Sequence, residues 1–276
     1  MRRTVLVTSQ TVVRAEGVGI AGVMSPTTAL LAFGLLVKGS LEREFLRAPI
    51  RASWKHILLP TAVVCFISFL ARGAAAVDSW PMLSIAGAVW LLFANSVTYG
   101  GMVLWQERSL LRQAVIPAWL LLAAAALVPV GIFAVHLSLV HLALLASSFP
   151  RGGVPTDTLV AGGIAVAAGL GVGILAARLT GFQPNFASAL PKLLLASLVL
   201  TPVFFRVSAL DGLKNAWCLA NPLCVATELA RSGISFQSEA LPRHAKAVAC
   251  AFSGAILCWG LVSLRVPSPS LADEHA

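Results

Sequence analysis

The run VIPAWLLLAAAALVPVGIFAVHLSLVHLALLAS, residues 115–147, contains no Asp, Glu, Lys or Arg. A helix needs about 20 apolar residues to cross the hydrocarbon core of a bilayer, and this run is longer than that. Its apolar and polar positions do not alternate, as the strand of a membrane barrel would require. Backbone groups in lipid must be hydrogen-bonded within the chain, so a continuous apolar block of this kind is helical. At 1.5 Å per residue it would reach about 50 Å. It must therefore tilt, project beyond the bilayer or kink at Pro129.

Five further blocks extend the pattern, at 57–71, 82–104, 158–177, 189–205 and 245–264. The composition agrees: 58% of residues are hydrophobic and 11% charged, with a mean hydropathy of +0.87. Soluble domains carry about twice that share of charge. The predicted fold class is all-α, a polytopic membrane protein with six transmembrane helices. The expected organisation is an N-terminal cytoplasmic and interfacial segment at 1–56, a membrane domain at 57–265 and a cytoplasmic tail at 266–276.

The net charge of +9 follows topology more closely than it resembles a nucleic-acid footprint. Basic residues crowd the segment before the first block (Arg43, Arg47, Arg51, Lys55) and recur after the second (Arg108, Arg112) and fourth (Arg178, Lys192). The intervening loops GAAAVDSWP and PRGGVPTD are nearly free of them. Because positive charge marks the cytoplasmic side, both termini are expected in the cytoplasm, with residues 206–244 outside. The run at 17–37 is apolar but Gly-rich and interrupted by Ser25-Pro26-Thr27-Thr28. It reads as a segment on the membrane surface, with an extra span or a signal peptide as the alternatives. In SLEREFLRAPIRASWKHILLP, residues 40–60, Leu41, Phe45 and Leu46 oppose Glu42, Arg43 and Arg47, the pattern of an amphipathic helix lying in the interface.

Few residues suggest chemistry. The five cysteines have no CxxC spacing and read as small apolar side chains. His136 and His141 are five apart without a nearby carboxylate, so neither a metal site nor a catalytic set is predicted. GLGVG at 169–173 lacks the strand and acidic partner of a dinucleotide loop. Gly169 and Gly173 suit close helix packing instead. Neither GxxxxGK[ST] nor G-x-S-x-G occurs. Between the second and third blocks lies WQERSLLRQA, residues 105–114. Gln106, Glu107, Arg108 and Ser109 lead into an apolar pair, Leu110 and Leu111, followed by Arg112 and Gln113. It reads either as a short surface helix for a cytosolic partner or as a solvated loop.

The most specific stretch is TPVFFRVSALDGLKNAWCLANPLCVATELAR, residues 201–231. Leu210, Leu213 and Trp217 share the face of a helix too short to cross. Asn221-Pro222 stops that helix, because a residue preceding Pro avoids the helical region. Pro222 can open a second helix in which Glu228 and Arg231 pair across one turn. Helix, break and helix predict a re-entrant hairpin before the last span. Non-helical backbone at membrane depth requires a protein or aqueous surround.

This stretch resembles the C-terminal signature of type-2 ABC exporter permeases, in the branch exporting capsular polysaccharide and lipopolysaccharide O-antigen. Thr201, Pro202, Phe204, Phe205 and Leu210 occupy its first part; Asn221, Pro222, Leu223, Glu228 and Arg231 occupy its second. Six blocks, an amphipathic N-terminal helix and a candidate coupling helix at 106–113 fit more loosely. Arg51 stands where the family has Gly, and AARLTG keeps only Arg178 of a more basic and acidic family motif.

The resemblance implies a subunit of the bacterial inner membrane that pairs with a second copy to enclose a channel. A separate ATPase would bind ATP-Mg, leaving this chain without a cofactor and without catalysis of its own. Implied channel-lining aromatics are Trp90, Tyr99, Phe204, Phe205 and Trp217, and the implied cargo is a polysaccharide or glycolipid. A drug, lipid or teichoic-acid-like cargo is the alternative within the fold, and an intramembrane enzyme the alternative outside it.

Overall fold

The computed structural model describes residues 80–106, 118–146, 155–179, 219–234 and 241–264, with isolated positions including Leu190, Leu194, Ser197, Thr201 and Val203. The described residues form five helices: α1 (Trp80–Gln106), α2 (Ala118–Ala146), α3 (Pro155–Leu179), α4 (Pro222–Ser232) and α5 (Arg243–Ser263). All except α4 are long and apolar enough to cross a membrane. The chain is thus a helical protein of membrane type. The first and fifth expected spans, the interface helix at 40–60, the run at 17–37 and the segment 107–113 lie outside the described residues, apart from isolated positions.

Local sequence accounts for the helix limits. Pro81 is the second residue of α1 and Pro155 the first of α3, in the first turn, where a missing N–H costs nothing and the fixed φ suits a helix. The long run that opened the sequence is one helix of 29 residues with Pro129 inside it. At 1.5 Å per residue it is about 44 Å long, so it passes beyond a ~30 Å core or lies tilted within it.

Glycines set the packing of the long helices. A Cβ at Gly169 of α3 would lie 2.6 Å from the Ser96 side chain and 2.7 Å from the Phe93 carbonyl of α1. One at Gly173 would collide with the Val97 carbonyl a turn further along. Contacts that advance together along both chains make α1 and α3 parallel. Gly171 points away from α1, and a Cβ there would lie 2.7 Å from Ile256 and from the Leu257 nitrogen of α5. Gly260 of α5 lies against Gly171 and Ile174. Helix α3 is therefore the central member, flanked by α1 and α5. Lipid tails are as apolar as Leu, so close backbone approach and dispersion supply much of the association energy.

The main core joins Ile85, Val89, Leu92 and Val97 of α1 to Ala161, Ile164, Ala165 and Ala168 of α3. Helix α4 adds Leu223, Val225 and Leu229, and α2 adds Phe133, Val140 and Leu144. On the outside, α2 exposes Val135, Leu139, Leu142 and Leu145, while α5 exposes Val248, Phe252, Trp259 and Val262. Contiguous outward faces of this size are unfavourable in water and natural in lipid.

Candidate functional site: a short buried helix behind an Asn-Pro break

Helix α4 has 11 residues, about 16 Å by the helical rise, which is half of what a crossing needs. Its entry is built by two neighbouring side chains. Asn221 adopts extended backbone angles (φ −89, ψ 115), and its side chain accepts a hydrogen bond from the Leu223 N–H at 3.0 Å. Pro222 occupies the first helical position, where no N–H is left to satisfy. The Asn221 carbonyl accepts from the Val225 N–H at 3.2 Å. Residues 223–231 are then buried without interruption, including Thr227, Glu228 and Arg231.

Such burial of charge persists only with compensation. Arg231, 2% exposed, donates from Nη1 to Glu228 Oε1 at 2.6 Å. Its Nη2 donates to the Val203 carbonyl at 2.8 Å, and its Nε to the Met82 carbonyl at 3.4 Å. One guanidinium thus ties together a carboxylate on its own helix, the chain around residue 203 and the start of α1. The planar fork of Arg supplies donors in three directions, whereas a Lys ammonium would serve this geometry poorly. Near Val203 the chain turns: the Val203 N–H donates to the Thr201 carbonyl at 2.7 Å, and Thr201 Oγ1 donates to the Ser197 carbonyl at 2.7 Å.

A second attachment holds the end of α4. Ser232 Oγ lies 3.0 Å from Asp157 Oδ2 and 2.8 Å from the Leu229 carbonyl. Asp157, in the first turn of α3, also accepts from Lys246 Nζ of α5 at 3.0 and 3.1 Å. Gly233 lies so close to Thr158 that any Cβ there would overlap its hydroxyl. The starts of α1, α3 and α5 therefore meet at one end of the bundle; the last turn of α4 is fastened to α1 and α3 directly and to α5 through Asp157.

The expected site residues fall into three groups. Asn221, Pro222, Glu228 and Arg231 build α4, and Thr201 lies in the turn whose Val203 carbonyl Arg231 reaches. Trp90 is half-buried and donates from its indole N–H to Ser197 Oγ at 3.3 Å, so it bridges α1 to the chain near residue 197. Tyr99 is half-buried on the same helix. Gln106 is the last residue of α1. Glu107 to Gln113, Pro202, Phe204, Phe205 and Trp217 lie outside the described residues. Of the two histidines, His136 is buried, while His141 is exposed and hydrogen-bonded through Nδ1 to the Leu137 carbonyl at 2.8 Å.

Asp157, Lys246, Ser232 and the two carbonyl acceptors of Arg231 are participants that the sequence did not single out. Lys246, a cation at the head of an apolar block, was the one available signal. Chemically the cluster supports a break in helical backbone: its charges face each other and the carbonyls of neighbouring segments. No family model matches the chain, and no curated protein matches it significantly.

Proposed function

We propose that this chain is the membrane subunit of an ATP-driven exporter of the type-2 ABC class, located in a bacterial inner membrane with both termini cytoplasmic. Two copies enclose the channel, a separate ATPase subunit binds ATP-Mg, and the cargo is a capsular or O-antigen type polysaccharide, carried as a glycolipid. The observation that carries this reading is α4. It is a short helix behind Asn221-Pro222, buried along its length, with the Glu228–Arg231 pair joined to the Val203 carbonyl.

That arrangement supports the reading because an interrupted helix needs shielding from lipid, and a channel wall supplies it. The four long helices support the membrane setting. On this reading, Gln106 to Gln113 receive the movement of the ATPase, and aromatic residues such as Tyr99, Phe204, Phe205 and Trp217 offer faces to sugar rings. Trp90, with its N–H engaged by Ser197, can present its ring face in the same way.

The test is purification of the tagged full-length chain from its native membrane, followed by mass spectrometry of tightly associated proteins. A stoichiometric P-loop ATPase, with two copies of this chain per complex, is the expected result. A chain that remains a monomer with no ATPase would refute the proposal.

A further inference from the structure

Helix α5 is the least covered of the long helices. Only 22% of its apolar stretch is buried, against 56–67% for the other three. Its outward positions form one column: His244, Val248, Phe252, Ala255, Trp259 and Val262 are all exposed. Successive members lie three or four residues apart, the spacing of a single helix face. Exposed Arg243 stands beside His244 at the head of this column, and the first turn of α5 contains no acidic residue. Lys246 is committed to Asp157. Arg243 and His244 make no ion pair or hydrogen bond among the described residues.

We infer that this face of α5 is a binding surface for an anionic phospholipid in the leaflet where α5 begins. Arg243 and His244 would hold the headgroup phosphate, and Val248, Phe252 and Ala255 would lie along an acyl chain.

Two observations favour this occupant. The column from Val248 to Val262 is about 21 Å long at 1.5 Å per residue. It therefore continues past one leaflet of a ~30 Å core, and roughly its first two thirds match the ~15 Å depth of one set of acyl chains. Arg243 also lies at the end of the column, at the level of phosphates, where long basic side chains reach out of the apolar region. A second copy seated on the same face would be related by an axis along the membrane normal. That symmetry would bring each Arg243 toward its twin, like charge toward like. The outward face of α2, with Val135, Leu139, Leu142 and Leu145, carries no Lys or Arg and predicts no headgroup preference.

The test is native mass spectrometry of the full-length chain in detergent, with dioleoyl phosphatidylglycerol or dioleoyl phosphatidylcholine added at equal concentration. A basic residue near an anionic surface contributes roughly fivefold in binding, so about fivefold or greater retention of phosphatidylglycerol is expected. Arg243→Gln with His244→Gln should bring the ratio to about one, while α5 keeps its Lys246–Asp157 attachment. Equal retention of both lipids by the wild-type chain would overturn the inference, as would undiminished selectivity in the double variant. A benzophenone side chain at position 252 should crosslink to lipid. Crosslinking mainly to a second copy, or to another segment of the chain, would also overturn it. None of these outcomes depends on the cargo or on an ATPase.

Discussion

Replacing Arg231 by Met probes the cluster at its centre. The substitution approximately keeps the length of the side chain and removes the charge. It leaves the Glu228 carboxylate, side chain 11% exposed, without its 2.6 Å partner, and takes a donor from the Val203 and Met82 carbonyls. Removing one member of a buried ion pair typically costs about 3–5 kcal/mol, because the remaining charge stays desolvated. That corresponds to a factor of roughly 10² to 10³ or more in the folding equilibrium. Replacing both members by apolar residues of similar size is often nearly neutral. Glu228→Leu combined with Arg231→Met should therefore recover most of the loss.

Reversible unfolding in mixed micelles, titrated with SDS and followed by tryptophan fluorescence, measures each variant. The cycle is expected to give a large favourable coupling between positions 228 and 231. An Arg231→Met variant less than about 1 kcal/mol below wild type would refute the brace, as would a double variant whose loss equals the sum of the singles.

Changes at three other positions test the surrounding architecture by the same assay. Gly171→Ala drives a methyl to 2.7 Å from Ile256 and the Leu257 nitrogen. It should destabilise by about 1–3 kcal/mol through overpacking. Gly163→Ala meets nothing within 4 Å and should be neutral or stabilising by up to about 1 kcal/mol. Asn221→Ala removes the cap on the Leu223 N–H and should cost about 1 kcal/mol, whereas Asn221→Asp should retain most of the stability.

Hydropathy located the long helices to within about three residues. The blocks expected at 82–104, 158–177 and 245–264 correspond to helices Trp80–Gln106, Pro155–Leu179 and Arg243–Ser263. Loops between membrane helices announce themselves by Pro and charge, which cannot be carried far into lipid. The entry of α4 is legible for a similar reason, since Asn-Pro constrains backbone geometry locally, and so is the three-residue spacing of Glu228 and Arg231.

The rest of the cluster is not local. Arg231 reaches carbonyls 28 and 149 residues away, and a backbone acceptor leaves no mark in the sequence. Asp157 and Lys246 are 89 residues apart, each lying in a stretch whose charge speaks first to topology. The pattern in GLGVG suggested one packing face through Gly169 and Gly173. That Gly171 opens the opposite face to α5 depends on which helix stands there, and no spacing within α3 encodes it.

The central claim is that the chain enters from the side of the membrane opposite the cytoplasm, breaks at Asn221-Pro222 and returns through α4 to the same side without crossing. It is tested most directly by an Ala220→Cys variant in a chain whose five native cysteines have been replaced. Position 220 is exposed immediately before the Asn-Pro break. Labelling of intact right-side-out vesicles by a membrane-impermeant maleimide is the predicted result. Labelling only after the cytoplasmic face is opened would contradict it.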